Sequence, residues 1–185
     1  MTEKEKMLRG EAYHPFDKEL VSQRIETRLL LQQLNGCQPD KGKELKRLLK
    51  LVIPNQGKSC FIQPPFYCDY GSHIYLGDRV FFNFNCVILD VTPVKIGDRS
   101  MFGPNVQIYT ATHPMDAAKR ATGVEFGKPI TIGKDVWIGG NVTICPGVTI
   151  GDRSVIGAGS VVTKNIPEDV FAAGNPCKII RNLVI

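Results

Sequence analysis

The sequence of 185 residues lacks the features that define several classes of proteins. No apolar run approaches the ~20 residues that a membrane-spanning helix requires, and the charged residues 1–6 lead into no apolar segment of a secretory signal. Hydrophobic residues make up 43% and charged residues 22% of the chain, which excludes a disordered or fibrous protein. We therefore expect a globular protein with a cytoplasmic location and no membrane partner.

The six cysteines include no closely spaced pair such as C-x-x-C, so zinc-ribbon and thioredoxin-like redox signatures are missing. Because no export signal is present, we expect all six to be buried, reduced thiols. Cys145, within Ile-Cys-Pro-Gly, is interpreted as a structural residue. The sequence predicts no metal site.

The net charge of +5 is not concentrated in one stripe. Residues 1–58 carry 12 Lys and Arg against 8 Asp and Glu, and residues 59–185 carry 11 against 10. A nucleic-acid-binding surface has dense basic residues with interleaved aromatic residues. The nearest candidate, residues 41–50, follows the polar face of an amphipathic helix, so we expect no nucleic-acid partner.

Residues 1–58 have a helical pattern. Asp17 is suited to cap a helix that ends at Asn35 and Gly36, and a second helix over about 41–52 stops before Pro54. Only 4 of the 18 glycines lie in this region. The sequence therefore predicts a helical N-terminal domain over 1–58 and a second domain over 59–185.

The second domain has an apolar period of six residues. The period is broken by a two-residue slip near Thr92 and by an interruption at 109–129. Glycine follows the periodic residue at eight of the thirteen positions, so we expect a mainly β solenoid whose six-residue units form the flat faces of a triangular coil. Each glycine is predicted to make a corner through a positive φ. The thirteen inward positions are Tyr70, Leu76, Phe82, Ile88, Ile96, Phe102, Ile108, Ile132, Ile138, Ile144, Ile150, Ile156 and Val162.

The interruption at about 109–129 is an extended loop with His113 expected at its tip. A loop of about twenty residues in a compact domain is uncommon and often functional, although a tolerated surface insertion is the alternative. An imidazole that is largely neutral near pH 7 can act as a general base. His113 is therefore the leading catalytic candidate.

Several motifs support a family resemblance. They include Cys-Asp-Tyr-Gly at 68–71, Thr-Ala-Thr-His-Pro at 110–114, Val-Trp-Ile-Gly-Gly at 136–140 and Val-Ile-Gly-Ala-Gly-Ser at 155–160, together with the helical start. In this combination the chain resembles the maltose/galactoside O-acetyltransferases over nearly its whole length. The hexapeptides alone indicate only a fold superfamily, whereas the loop and the helical start narrow the resemblance to sugar O-acetylation.

The resemblance implies a left-handed parallel β-helix that forms a homotrimer with active sites at subunit interfaces. It also implies direct acetyl transfer from acetyl-CoA to a hydroxyl of a maltose- or glucose-like sugar, with no acyl-enzyme. In that mechanism His113 is the base and Asn83 lies beside the acceptor and acetyl group. A backbone N–H near Gly140 is the expected oxyanion donor. Asn83 has a structural alternative, a corner that tolerates positive φ.

The resemblance implies that Asp17 and Arg24 bind the sugar. Asp90, a carboxylate at the end of an apolar run, and Glu125 are further candidates for sugar binding. Asp17 could equally be a helix cap and Arg24 an exposed helix charge. Galactoside-specific members have an acidic residue at the position of Val91 and differ around Glu125, so the chain is placed nearer the maltose-type branch.

The resemblance also implies a channel for CoA. Its cations suit the pyrophosphate and 3′-phosphate, although solvated surface residues would give the same composition. The implied channel residues are Trp137, Gly140, Ala158, Thr163, Lys164, Lys178 and Arg181.

Three alternatives stay open. The first is a hexapeptide acyltransferase for an antibiotic, serine or an amino sugar, and the second is a non-catalytic β-helix scaffold. The third is a zinc carbonic anhydrase on the same solenoid, which needs three histidine ligands. The spacing of His14, His73 and His113 does not fit that site.

Overall fold

The computed structural model describes residues 1–184; residue 185, the last of the predicted solenoid domain, lies outside the described residues. The described chain has four helices, α1 (Glu3–Leu8), α2 (Lys18–Asn35), α3 (Gly42–Val52) and α4 (Ala117–Ala121). Its strands are short because each coil turns after a few residues. They are β1 (Asn55–Gln56), β2 (Phe61–Ile62), β3 (Phe66–Cys68), β4 (Ile74–Leu76), β5 (Phe81–Phe82), β6 (Cys86–Leu89), β7 (Val94–Ile96), β8 (Met101–Phe102), β9 (Gln107–Tyr109), β10 (Ala111–Thr112), β11 (Phe126–Gly127), β12 (Ile130–Ile132), β13 (Trp137–Ile138), β14 (Thr143–Ile144), β15 (Thr149–Ile150), β16 (Val155–Ile156), β17 (Val161–Val162), β18 (Val170–Ala173) and β19 (Lys178–Asn182).

Successive strands of the coil lie on three faces. The first face is β1-β4-β7-β12-β15, the second is β2-β5-β8-β13-β16-β18, and the third is β3-β6-β9-β14-β17. Strands within each face pair in parallel, whereas β19 adds an antiparallel edge to β18. Strands β10 and β11 form a separate antiparallel pair. The predicted mainly β solenoid is confirmed, with five stacked strands on the first and third faces.

The predicted helices begin and end close to the expected residues. The Asp17 side chain accepts a hydrogen bond from the Glu19 N–H and caps α2, which ends before Gly36. Buried leucines of α2 and α3 share one hydrophobic core with the coils. The side-chain amide of Asn35 both donates to and accepts from the Phe66 backbone at 2.9 Å. These contacts fix α2 against the third face.

The period of six correctly identifies twelve of the thirteen inward residues, and all twelve belong to the common core. Tyr70 is the exception. It packs with Met7, Tyr13, Leu20 and Val91 in a second cluster. The register pairs Cys68 with Ile88, so Cys68 is the inward residue of the first coil. The assignment of Tyr70 was wrong because a second two-residue slip follows Cys68.

The corner glycines have a different role from the one expected. Of the eight, only Gly71 has a positive φ, +70°. The positive φ of the other seven corners lies two residues later, as at Arg99 and Asn105. A Cβ on Gly103 would lie 2.5 Å from the Gly140 nitrogen, and one on Gly97 would lie 2.7 Å from the Gly133 carbonyl carbon. Glycine is therefore required by the close approach of the next coil, not by its backbone conformation.

Two other findings concern the cysteines and the helices. All six cysteines are free, but Cys37 and Cys145 are half-buried, whereas full burial was expected. None of the helices in residues 1–184 is long and apolar enough to cross a membrane.

Candidate active site

The turns between faces are a natural place for functional side chains, because strand residues only alternate between the core and the outer surface of a face. We name the turn from the second to the third face the second corner, and the turn from the third to the first face the third corner. The second corner contains residues 83–85, 103–105, 139–141 and 157–159. The third corner contains the residues after β3, β6, β9, β14 and β17, including the 109–129 loop.

A cleft of about 540 Å³ lies where the third corner meets the N-terminal helices. Its walls come from three separate parts of the chain: the start of α2 with the segment before it, the third corner, and the loop. This cleft contains three of the residues predicted from the sequence, together with several that sequence reasoning did not single out. The lining residues are Pro15, Phe16, Arg24, Arg28, Asp69, Val91, His113, Arg120, Gly123 and Glu125.

The N-terminal segment holds the loop in place. Tyr13 and Glu125 exchange two backbone hydrogen bonds of 2.9 and 3.0 Å, and the Tyr13 hydroxyl donates to Glu125 Oε2 at 2.8 Å. Burial and the Glu125 carboxylate raise the pKa of Tyr13 far above its usual range, so its hydroxyl remains a donor. Nearby, Gly10 has φ +73° and lies against the Gly127 carbonyl. The loop that carries His113 is therefore fixed at its returning strand.

His113 directly follows β10, which pairs with β11. It lies at the base of the loop and not at the tip, which is formed by α4. Its side chain is 55% exposed, and its Nε2 lies 3.9 Å from Glu125 Oε1. That distance is too long for a hydrogen bond, but it places a carboxylate where it can stabilise a protonated imidazole. The Glu125 side chain is only 16% exposed, so its charge is poorly screened by water.

Arg24 is held rigidly within the cleft wall. It donates to the Tyr70 hydroxyl at 2.6 Å and to the Pro15 carbonyl at 2.5 Å, and its guanidinium lies 5.7 Å from the centre of the Tyr70 ring. Asp17 does not line the cleft. As the cap of α2 it fixes the start of the helix that carries Arg24.

Asp90 is fully buried and does not reach the cleft. Its Oδ1 accepts hydrogen bonds of 3.0 Å from the backbone N–H groups of Asp69 and Tyr70, while Oδ2 has no partner among the described residues. Asp69 is the carboxylate that lines the cleft. Burial, together with the charge of Asp90, raises the pKa of Asp69 to about 6, and burial raises that of Asp90 to about 6. Sequence reasoning missed Asp69, although it stands within the Cys-Asp-Tyr-Gly motif.

The other predicted residues do not line this cleft. Asn83, Gly140 and Ala158 lie at the second corner, and Trp137 projects from the second face with 54% of its surface exposed. Asn83 Oδ1 accepts a hydrogen bond from the Phe84 N–H, and φ is positive at Asn85, not at Asn83.

The predicted CoA-binding residues near the C-terminus lie in two separate places, the third corner and strand β19. Thr163 and Lys164 follow β17 at the third corner and are exposed. Lys178 and Arg181 lie on β19, where the Arg181 guanidinium is 5.8 Å from the centre of the Phe171 ring. One copy of the chain therefore does not bring the predicted base and the predicted CoA residues into one cleft. Residues 1–184 contain no group of three or more His, Cys, Asp and Glu side chains that could hold a metal ion.

Two family models match the chain. One is described as a bacterial transferase hexapeptide (six repeats) and covers residues 129–164. The other is described as a maltose acetyltransferase hexapeptide capping motif and covers residues 6–57. A curated relative, galactoside O-acetyltransferase from Lactococcus lactis, is 41% identical over 174 residues, which cover 94% of this chain and 84% of that protein.

Solved structures of acetyltransferases are also similar to the chain over its whole length. The maltose O-acetyltransferase from Clostridium difficile 630 superimposes with a TM-score of 0.99 and 46% identity, covering 100% of this chain and 99% of the other. A galactoside acetyltransferase in complex with coenzyme A has a TM-score of 0.96 and 40% identity, with 100% and 92% covered. These likenesses identify the solenoid as the expected left-handed β-helix.

Proposed function

Since the chain belongs to the maltose and galactoside O-acetyltransferase family of hexapeptide-repeat enzymes, we propose that it transfers the acetyl group of acetyl-CoA to a hydroxyl of a maltose- or glucose-like sugar. O-acetyl transfer from acetyl-CoA follows from family membership, whereas the sugar and the residue roles are our proposals. The observation that supports them most directly is the cleft that His113 lines together with Arg24, Asp69 and Glu125, with its Nε2 3.9 Å from the Glu125 carboxylate. A cytoplasmic location stays a prediction.

In the proposed reaction, neutral His113 takes the proton from the sugar hydroxyl while the hydroxyl oxygen attacks the thioester carbonyl carbon. The resulting imidazolium is stabilised by the carboxylate of Glu125, which Tyr13 holds in place. Collapse of the tetrahedral intermediate breaks the C–S bond, and His113 returns the proton to the CoA thiolate. A backbone N–H at Gly140 would donate to the oxyanion. The mechanism needs neither an acyl-enzyme nor a metal step.

We propose that Arg24 and Asp69 hydrogen-bond the hydroxyls of the sugar. Arg24 is fixed by its bonds to Tyr70 and Pro15, so little entropy is lost when it binds a ligand. Asp17 and Asp90 would then contribute indirectly. Asp17 fixes the helix that carries Arg24, and Asp90 fixes the backbone of Asp69.

We also propose a homotrimer in which the second corner of one copy meets the cleft of the next. The separation of His113 and Asn83 within one chain supports this arrangement, because both are needed in one site. A second support is an apolar column on the outside of the second face, whose members pair in register. Exposed apolar columns of this kind are typical of interaction sites. The column consists of Phe61, Phe81, Met101, Trp137, Val155 and Phe171.

CoA would lie along the same boundary between copies. Thr163 and Lys164 leave the third corner next to the loop, whereas Trp137, Gly140 and Ala158 belong to the second face and corner. Lys178 and Arg181 add cations at the edge of the second face for the phosphates of CoA. Residues 1–58 would act as one unit that forms a wall of the cleft.

The direct test is a thiol-release assay with acetyl-CoA and a panel of acceptors: maltose, glucose, a galactoside, an amino sugar, serine and an aminoglycoside or phenicol antibiotic. We expect CoA release that depends on a sugar hydroxyl. Release with only a non-sugar acceptor would contradict the proposed substrate. No release with any acceptor, together with no thermal stabilisation by CoA, would favour a non-catalytic scaffold.

A further inference from the structure

The cleft has charges of opposite sign at different depths. Asp69 and Glu125 are partly buried and form what we name the floor of the cleft. Arg28, on α2, and Arg120, on α4, are exposed and form what we name its rim. Arg24 is a third guanidinium in the same lining, so three of the nine arginines of the chain converge on one cleft.

Arg28 and Arg120 form no ion pair among residues 1–184, as is also true of Arg9, Arg79 and Arg181. Arg47, Arg99 and Arg153 each form an ion pair with a carboxylate. Within residues 1–184, no carboxylate lies within 4.0 Å of a guanidinium nitrogen of Arg28 or Arg120, and Arg28 donates no side-chain hydrogen bond.

Arg120 is nevertheless held in position. Its Nη1 donates to the carbonyls of Pro114 and Met115 at 3.0 and 3.1 Å, and Asp116 caps the short helix that carries it. Because a guanidinium has five N–H donors, most of them remain available for a ligand. Two rim guanidiniums, one of them preoriented and neither in an ion pair with a carboxylate, form a site for a carboxylate or phosphate.

The floor limits where that anion can lie. An anionic group next to Asp69 and Glu125 would be repelled, whereas sugar hydroxyls can donate to both carboxylates. Building on the proposed acetyl transfer, we propose that the preferred acceptor is an acidic sugar, whose carboxylate or phosphate binds Arg28 and Arg120 while its reacting hydroxyl lies at His113.

The test compares acceptors that differ only in the anionic group: glucose, glucuronate and glucose 6-phosphate. We expect kcat/KM for an anionic sugar to exceed that for glucose by about tenfold or more. In the double variant Arg28→Gln, Arg120→Gln, kcat/KM for the anionic sugar should fall about 10- to 100-fold, as expected for the loss of charge-assisted hydrogen bonds. The kcat/KM for glucose should fall much less than that for the anionic sugar, and the KM for acetyl-CoA should change by less than about twofold.

Lys119→Gln is the matched control, because it removes one positive charge from the same helix at a residue outside the cleft lining. It should retain the preference for the anionic sugar. An equal effect of Lys119→Gln would mean that only the general positive field matters, which contradicts a specific site.

Two other results would overturn the proposal. The first is an equal kcat/KM for the neutral and anionic sugars. The second is a double variant that has a higher KM for acetyl-CoA but an unchanged sugar preference, since the arginines would then bind a CoA phosphate. If no sugar is acetylated at all, the proposed function fails. Calorimetric titration of glucose and glucuronate into the protein still measures the anion preference in that case.

Discussion

The second and third corners belong to the same coils but carry different residues. At the second corner the residue after the inward side chain is Asn at 83 and Gly at 103, 139 and 157, and at these glycines the next coil leaves no room for a Cβ. The third corner has no glycine at the equivalent places, which are Asp69, Leu89, Tyr109, Cys145 and Thr163. It also contains both two-residue slips and the 109–129 loop.

This difference shows where a regular solenoid can build a site. A corner with constant spacing stacks backbone on backbone and leaves little room for charged side chains. A corner that accepts insertions separates successive turns and admits a carboxylate such as Asp69 or a loop that carries His113. The site therefore depends on irregularity, whereas the fold depends on repetition.

The largest expected effect comes from removing the proposed base at the third corner. His113→Ala should lower kcat by about 10²- to 10⁴-fold, because general base catalysis contributes that much. The melting temperature should stay nearly unchanged, since the side chain is more than half exposed. Steady-state kinetics and thermal unfolding measure both, and His14→Ala is the control for an exposed histidine outside the cleft. An intact rate in His113→Ala would remove His113 from the mechanism.

The proposed contact between a second corner and a third corner predicts complementation between copies. Asn83→Ala and His113→Ala should each be poorly active alone. Co-expressed, they should recover up to about a quarter of wild-type activity, because one site in four would combine an intact His113 with an intact Asn83 from the neighbour in a closed ring. Purified mixed oligomers provide the measurement. No recovery in mixed oligomers would place both residues in the site of a single copy.

Removal of the cationic residues predicted to bind CoA should have a smaller effect. Lys164→Ala combined with Arg181→Ala should raise the KM for acetyl-CoA about tenfold, since two charge-assisted contacts to phosphate would be lost. The KM for the sugar should change by less than about twofold. Initial rates with each substrate varied in turn distinguish the two, and equal increases would contradict the phosphate assignment.

The smallest effect concerns Asp69, the partly buried carboxylate at the third corner. The folded-state pKa of Asp69 is raised to about 6, above an unfolded value near 3.9. Because the folded protein holds this proton more tightly than the unfolded chain, ionisation of Asp69 lowers the free energy of unfolding as the pH rises from about 4 to 6. Asp69→Asn should raise the melting temperature by a few degrees at pH 8 and by almost nothing at pH 4. Calorimetry at both pH values tests this, with the exposed Asp40→Asn as control. A shift of equal size at both pH values would argue against a buried charge.

The correct predictions from the sequence are those that depend on local patterns. The inward residues, the helix ends and the position of the loop were predictable, because each follows from a local rule of period, capping or interruption. Tyr70 was misassigned because counting in sixes cannot detect a slip that leaves another apolar residue in phase. Arg28 gave no sequence signal, since it is an ordinary polar residue of a helix. Asp69 and Arg120 lie within a noted motif and the noted loop, but nothing local marked them as lining residues of a cleft.

The sequence by itself determined the coil and its three faces, because stacked repeats require only that the inward residues of neighbouring coils lie in register. It also made His113 a candidate, because the loop that carries this residue interrupts the repeat. Only the tertiary structure decided that Glu125, bonded to Tyr13, faces His113, that Asp90 is buried beneath Asp69, and that Asn83 lies at another corner. These relations join residues that are distant along the chain. The contact of Tyr13 with Glu125 arises from how the N-terminal segment packs on the third corner, which no local pattern records.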